Sequence, residues 1–134
     1  MKNKNCKVRI VNNQTIEGES DRVEIETQGT FSEINDSICI SYKRGNSLSI
    51  LKICNKDKVV LIKNKPYKCE FIIEKEMVNE CLYQTEYGTL NLKVEGEYIN
   101  YQFNDDDAFV ELKYKLYANS KELSSNDMKI YISF

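Results

Sequence analysis

Apolar and polar residues alternate along most of this chain, and turn residues interrupt the alternation at short intervals. Successive residues of a β-strand point to opposite faces of a sheet, so a period of two predicts half-buried strands. The clearest alternating segments are 8–10, 23–27, 38–42, 110–116 and 128–134. Because no long stretch has the periodicity of an amphipathic helix, the pattern predicts an all-β protein.

The alternation changes phase once without a complete turn sequence. Leu90 and Val94 place apolar side chains at even positions, whereas Ile99 and Phe103 place them at odd positions. Gly96 lies between the two sets, and a β-bulge at a glycine shifts the pattern by one residue. We therefore expect one long strand that bends at Gly96.

About ten strand segments with short connections are typical of an up-and-down barrel or a sandwich. A barrel is favoured because closure removes the exposed edges of a meander. With 134 residues, the chain is predicted to be one domain, residues 1–134. The predicted fold is a single closed, mostly antiparallel up-and-down β-barrel of about 8–10 strands.

Composition narrows the classes of partner and the cellular location. The net charge is −2, with a sequence pI of about 5.3, which argues against a general nucleic-acid binder because such proteins present a basic face. No segment reaches the roughly 18 apolar residues of a membrane span, and the N-terminal segment lacks the apolar stretch of a signal peptide. We expect a cytoplasmic protein without membrane contact.

Motifs for catalysis and metal binding are scarce. The chain has five cysteines at wide spacings and no histidine, which favours free, mostly buried thiols over a disulfide scaffold or a metal site. The alternative is a regulatory or catalytic thiol. The acidic stretch 105–107 lacks the central glycine of a calcium loop and is more typical of a solvated hairpin turn. We therefore expect no metal, no cofactor and no enzyme activity, unless folding brings carboxylates together.

The second half of the chain resembles a known bacterial family. The resemblance rests on segments 59–63, 69–71, 83–90, 112–117 and 129–132, and on the pattern Tyr-x-Thr-x-Tyr-Gly at 83–88. These segments are similar to the YwiB-like family, a domain of unknown function. The resemblance implies a cytoplasmic calycin (lipocalin-like) β-barrel and brings no known activity. Calycins often hold small apolar ligands, so by analogy we expect an interior pocket.

Tyr83, Thr85 and Tyr87 form the most distinctive row of candidate site residues. Residues two apart on a strand face the same side, so their hydroxyls are predicted to line one wall of a cavity. The alternative is that the tyrosines fill the barrel while Thr85 and Gly88 form the turn.

Four further residues are candidates for the same pocket. Lys63 follows Leu61 in phase, so its ammonium group could meet an acidic ligand head group; a lysine at a strand end can also extend into water. Phe71 lies on an inward-facing row. Tyr42 and Tyr114 interrupt aliphatic rows and could supply further hydroxyls, or could make structural hydrogen bonds.

Three functions are compatible with these observations. The first is binding of a small apolar or amphiphilic molecule inside the barrel. The second is a structural or interaction protein with a filled barrel, forming a homodimer or binding a protein partner through the outward-facing Phe109, Tyr117 and Tyr131. The third is an enzyme without a recognisable motif. An interior void favours the first function, and close packing favours the second.

Overall fold

The computed structural model describes residues 3–64 and 68–134. The sequence Asn64-Lys65-Pro66 after the apolar run 58–62 predicts a turn, and its Lys65 and Pro66 lie outside the described residues. The described residues form ten β-strands. Their bounds are β1 Asn3–Ile16, β2 Glu19–Ile34, β3 Ser37–Arg44, β4 Ser47–Asn55, β5 Lys58–Lys63, β6 Cys69–Glu74, β7 Val78–Thr85, β8 Gly88–Phe103, β9 Asp107–Ala118 and β10 Lys121–Ser133. Among the described residues there is no helix with the length and apolar character that crossing a membrane requires.

The strands form one sheet in the order β6-β5-β4-β3-β2-β1-β10-β9-β8-β7, and every ladder is antiparallel. Strands β1 to β6 pair with their neighbours in sequence, as do strands β7 to β10, and β1 pairs with β10 to join the two sets. The sheet curls until its edge strands β6 and β7 face each other, which gives a nearly closed barrel. The predicted all-β, up-and-down barrel is confirmed.

One apolar core occupies the interior of the barrel. Strands from both halves contribute fully buried side chains, among them Ile40, Leu51, Leu112 and Ile130. The inward positions follow the period of two that the sequence shows, because adjacent residues on a strand face opposite sides. Burying these aliphatic side chains supplies the main favourable free energy of folding.

The predicted bend at Gly96 is confirmed, and a close contact with another part of the chain explains the glycine. The register of β8 against β9 shifts between Gly96 and Tyr98. A Cβ atom at Gly96 would overlap the carbonyl oxygen of Glu74. The backbone of Gly96 also accepts a hydrogen bond from the amide of Glu76 at 2.9 Å and donates one to the carbonyl of Met77 at 3.0 Å. The bulge therefore fixes the β6–β7 connection against β8.

Aromatic rings fill one end of the barrel. The ring of Phe31 lies 6.0 Å from that of Phe103 and 5.0 Å from that of Phe134, both in edge-to-face geometry. Tyr101 extends the cluster with a ring 5.3 Å from Phe103, and the Lys4 ammonium lies 4.9 Å from the centre of the Phe134 ring. We call this cluster the filled end.

The two edge strands meet along a line that we call the seam. Within the described residues no backbone ladder joins β6 to β7. The side-chain amide of Asn79 on β7 instead donates to the carbonyl of Ile72 on β6 at 3.3 Å and to the carboxylate of Glu74 at 3.1 Å. A side chain thus satisfies one edge carbonyl that would otherwise require a strand partner.

Candidate functional site

A cavity of about 660 Å³ lies at the end of the barrel opposite the filled end, which we call the open end. Its lining comes from the last residues of odd-numbered strands and the first residues of even-numbered strands. This volume is within the range of small-molecule pockets. Its aliphatic wall consists of Ile10, Val23, Ile25, Leu61, Leu92, Leu116 and Met128.

Two aromatic rings line the cavity where the seam reaches the open end. Phe71 on β6 and Tyr83 on β7 stack across the seam, with ring centres 6.5 Å apart and planes inclined by 17°. Phe71 is buried and Tyr83 is half-buried. The two edge strands therefore share one aromatic wall, although no ladder of described residues connects them.

A transverse row of polar side chains crosses the open end. Tyr42 pairs with Ser49, and Ser49 pairs with Lys63, on three adjacent strands. Burial raises the pKa of Tyr42, and this effect is partly opposed by a hydrogen bond with Ser49 and by the positive charge of Arg44. Tyr114 on the opposite side is also buried, and burial raises the pKa of its phenol. Both phenols are therefore neutral donors at physiological pH.

A second polar group, Asn12, Ser124 and Asn126, lies on β1 and β10. The side-chain amide of Asn12 donates to the side-chain oxygen of Asn126 at 3.4 Å, and the side-chain amide of Asn126 donates to the hydroxyl of Ser124 at 3.0 Å. The side-chain oxygen of Asn12 is buried without a hydrogen-bond partner among the described residues. Asn12 and Asn126 both line the cavity, so this polar group forms part of its wall.

The charged side chains that line the cavity have one sign. Lys63 and Arg44 contribute positive charge, and no aspartate or glutamate occurs among its described lining residues. Lys63 lies exposed at the end of β5, so its ammonium group is at the mouth and not in the apolar interior. The cavity thus combines an apolar wall with a polar, cationic mouth.

The structure brings five of the seven predicted site residues to this cavity. They are Tyr42, Lys63, Phe71, Tyr83 and Tyr114.

Thr85 and Tyr87 do not line the cavity, because the chain turns before the predicted row is complete. Thr85 accepts a hydrogen bond from the amide of Tyr87 at 3.2 Å and donates one to the carbonyl of Gly88 at 2.8 Å. Tyr87 is in this turn and is 92% exposed.

Sequence reasoning missed six polar residues of the cavity: Asn12, Gln14, Arg44, Ser47, Ser49 and Asn126. Three of them continue an inward-facing row, since Asn12 follows Ile10, Ser49 precedes Leu51 and Asn126 precedes Met128. Extending each period-two row past its last apolar residue would have found these three positions.

The outward-facing aromatic residues are not one patch. The rings of Phe109 and Tyr131 lie 5.1 Å apart, and the guanidinium of Arg9 covers Tyr131 at 5.4 Å. Tyr117 is further along β9, where nearby Glu95 carries negative charge that, with burial, raises the pKa of the Tyr117 phenol. The homodimer expected through these residues stays a prediction.

All five cysteines are free: Cys6, Cys69 and Cys81 are buried, and Cys39 and Cys54 are half-buried.

Residues 105–107 lie in the β8–β9 connection and at the start of β9. There the side-chain amide of Asn104 donates to the carboxylate of Asp107 at 2.8 Å. The described residues contain no group of three or more histidine, cysteine, aspartate or glutamate side chains suited to hold a metal ion.

Fold and cavity together define a ten-stranded, nearly closed antiparallel barrel with one filled end and one open end. A family model described as "Domain of unknown function (DUF1934)" matches residues 8–130, and the chain belongs to this family. The resemblance to the YwiB-like family is thereby confirmed. The crystal structure of the ywiB protein from Bacillus subtilis is similar, with a TM-score of 0.87 and 14% identity over 98% of this chain and 92% of that chain. Comparison with curated proteins gives no match.

Proposed function

We propose that this protein binds a small amphiphilic molecule in the cavity at the open end of the barrel, without transforming it. The observation that supports the proposal is the composition of the cavity, in which an aliphatic wall and an aromatic pair lie below a polar, cationic mouth. A molecule with an apolar chain and a polar head group matches both parts of this lining.

The arrangement of the lining suggests how the ligand lies. Leu61, Phe71 and Leu92 contact its apolar part, since burying apolar surface is the main source of favourable binding free energy. Its head group lies at the mouth, beside Lys63 and the neutral Tyr42 phenol. Because both charged lining side chains are cationic, the proposal includes a preference for an anionic head group.

Native mass spectrometry of freshly purified protein is the first test. A mass excess that disappears under denaturing conditions is expected if a ligand is retained during purification. Titration with lauric acid and with lauryl alcohol, followed by calorimetry, then tests the head group. We expect tighter binding of the acid, and no binding of either compound would contradict the proposal.

A pair of lysine variants distinguishes a direct contact with the head group from the effect of the protein's overall charge. Lys63→Met removes the cation at the mouth, whereas Lys52→Met removes an exposed cation from the outer face of the adjacent strand β4. We expect Lys63→Met to weaken lauric acid binding by about tenfold, consistent with the loss of a charge-assisted hydrogen bond. Lys52→Met should leave binding unchanged, and equal effects of the two variants would argue against a contact at Lys63.

Self-association is the second candidate function, and the contact between Phe109 and Tyr131 favours it. Both residues are on the outer face, and Tyr131 is 39% exposed, so a second copy could cover the pair. Sedimentation velocity over a range of concentrations tests this candidate. A dimer that Tyr131→Ser dissociates would support it, and a monomer at every concentration would exclude it.

A further inference from the structure

The sulfur atoms of Cys69 and Cys81 lie 3.7 Å apart across the seam. Cys69 begins β6 and Cys81 is in the middle of β7, and both side chains are buried. It is the one contact between two cysteine sulfurs recorded among the described residues. A disulfide requires a separation of roughly 2.05 Å, so the two sulfurs must move closer before they can bond.

The seam is the part of the barrel where such a movement meets little resistance. Elsewhere backbone ladders hold neighbouring strands in register, whereas the described residues of β6 and β7 share no ladder. Their direct links near the thiols are the stacked rings of Phe71 and Tyr83 and the amide of Asn79. Bonding requires the sulfurs to approach by about 1.65 Å, and side-chain rotation together with a small shift of two edge strands that share no ladder can supply this movement.

The thiol pair also borders the cavity. Cys69 pairs with Lys63 on β5, and Cys81 pairs with Leu92 on β8, and both partners line the cavity. A small molecule in the cavity is therefore one residue pair away from the two buried thiols.

We propose that Cys69 and Cys81 are a disulfide-forming pair that closes the seam covalently when the protein meets a peroxide. The two thiols supply two electrons and hydrogen peroxide accepts them. One thiolate attacks a peroxide oxygen, which breaks the O–O bond and gives a sulfenic acid and, after protonation, water. The second thiolate attacks the sulfenic sulfur, the S–S bond forms, the S–O bond breaks, and a second water leaves.

Reactivity in this pair depends on opening of the seam. Burial and the neighbouring Cys81 raise the pKa of the Cys69 thiol, so the reactive thiolate is scarce while the seam is closed. Local opening of two edge strands exposes both thiols together and restores an ordinary pKa. Oxidation is therefore expected to be slow and to speed up when mild denaturant promotes opening.

Peptide mapping of the wild-type protein tests the proposal directly. Trypsin cleaves after Lys68, Lys75 and Lys93, which places Cys69 in peptide 69–75 and Cys81 in peptide 76–93. After hydrogen peroxide treatment and blocking of free thiols, we expect these two peptides to appear linked. Dithiothreitol should separate them. Cys69 and Cys81 recovered as free or overoxidised thiols, without the linked peptide, would overturn the proposal.

Thermal unfolding shows whether the bond closes the folded barrel. Oxidation should raise Tm by roughly 5–10 °C, because the bond constrains the unfolded chain, and reduction should reverse the rise. Cys81→Ser should abolish the rise, whereas the matched control Cys54→Ser, at a half-buried thiol, should retain it. A linked peptide accompanied by an unchanged or lower Tm would mean that the bond forms only in misfolded chains, and would overturn the proposal. None of these results depends on ligand binding.

Discussion

The two ends of this barrel are built on the same alternation of inward and outward residues, yet one is filled and the other is open. At the filled end the inward positions carry Phe31, Phe103 and Phe134, whose rings pack against one another. At the open end small polar side chains such as Ser49 and Asn126 share the inward positions with aromatic rings such as Phe71 and Tyr83, and a cavity remains between them. Strand pairing therefore sets the diameter, and the volume of the inward side chains sets how much of the interior is empty.

The two ends should also differ in what they contribute to stability and to binding. Interlocked apolar side chains stabilise a fold, whereas buried polar groups stabilise it little and cost free energy when they lack partners. The filled end should hence carry much of the free energy of unfolding. The open end should carry most of the capacity to bind a ligand. Substitutions at the two ends test this division.

The largest expected effect is at the filled end. Phe31→Ala removes a buried ring that contacts two other rings, so we expect a loss of about 3–5 kcal/mol in the free energy of unfolding. Tyr83→Ala, at the half-buried aromatic wall of the open end, should cost only about 1–2 kcal/mol. Urea unfolding measures both. Equal losses at the two ends would contradict the division.

Leu112→Ala tests how closely the layer between the two ends is packed. Leu112 is fully buried on β9 and pairs with Met128, which lines the cavity. We expect a loss of about 2–5 kcal/mol because the substitution leaves a void that its neighbours fill incompletely. If this variant unfolded at the same urea concentration as the wild type, the cavity would have to extend below Met128, and the layer would not be packed.

The pH dependence of the free energy of unfolding tests whether the phenol of Tyr114 at the open end is buried. The raised pKa of Tyr114 means that the unfolded chain, with a phenol pKa near 10.0, loses its proton first as the pH rises. Stability associated with the neutral phenol is complete below that pH and is lost as the pH rises toward the folded-state pKa. Tyr114→Phe should therefore lose less stability between about pH 8 and about pH 11 than the wild type does.

Tyr87→Phe is the matched control for this measurement, because Tyr87 is 92% exposed in the β7–β8 turn. Its urea midpoints should follow those of the wild type at each pH. If Tyr114→Phe also followed the wild type, the phenol of Tyr114 would be in contact with solvent and not buried at the back of the cavity.

The smallest expected effect on stability is at Asn12. Replacing it with leucine removes a buried oxygen that lacks a partner among the described residues, which favours stability. It also removes the long hydrogen bond to the side-chain oxygen of buried Asn126, which opposes this gain, so the net change in the free energy of unfolding should be within about 1 kcal/mol. Affinity for lauric acid should fall, since the mouth loses a polar group. A loss of stability well above this, together with a loss of affinity, would show that Asn12 is primarily structural.

The sequence predicted much of the fold because strands are encoded locally. A period of two and the turn residues between rows indicate strands without any knowledge of their partners, and the change of phase at Gly96 located the bulge. The reason for the glycine was not local. It is the close approach of the Glu74 carbonyl, and that approach exists only once the barrel has curled.

The candidate site was predicted only in part, since a row of alternating residues does not show where its strand ends. Tyr83 belongs to the cavity, but the turn at 86–88 places Tyr87 in solvent. Polar positions such as Asn12 give no signal that they face inward, because polar side chains are mostly found on a solvent face. Asn12 is inward because it continues the row of Ile10.

By itself, the sequence determined that this chain is an all-β barrel, because side-chain alternation is a property of each strand. Only the tertiary structure decided which inward residues meet. Asn12 and Asn126 are 114 residues apart in sequence and touch at the open end, and Cys69 meets Cys81 across the seam. A cavity and a contact both depend on distances between strands, and those distances are set by the closure of the whole sheet.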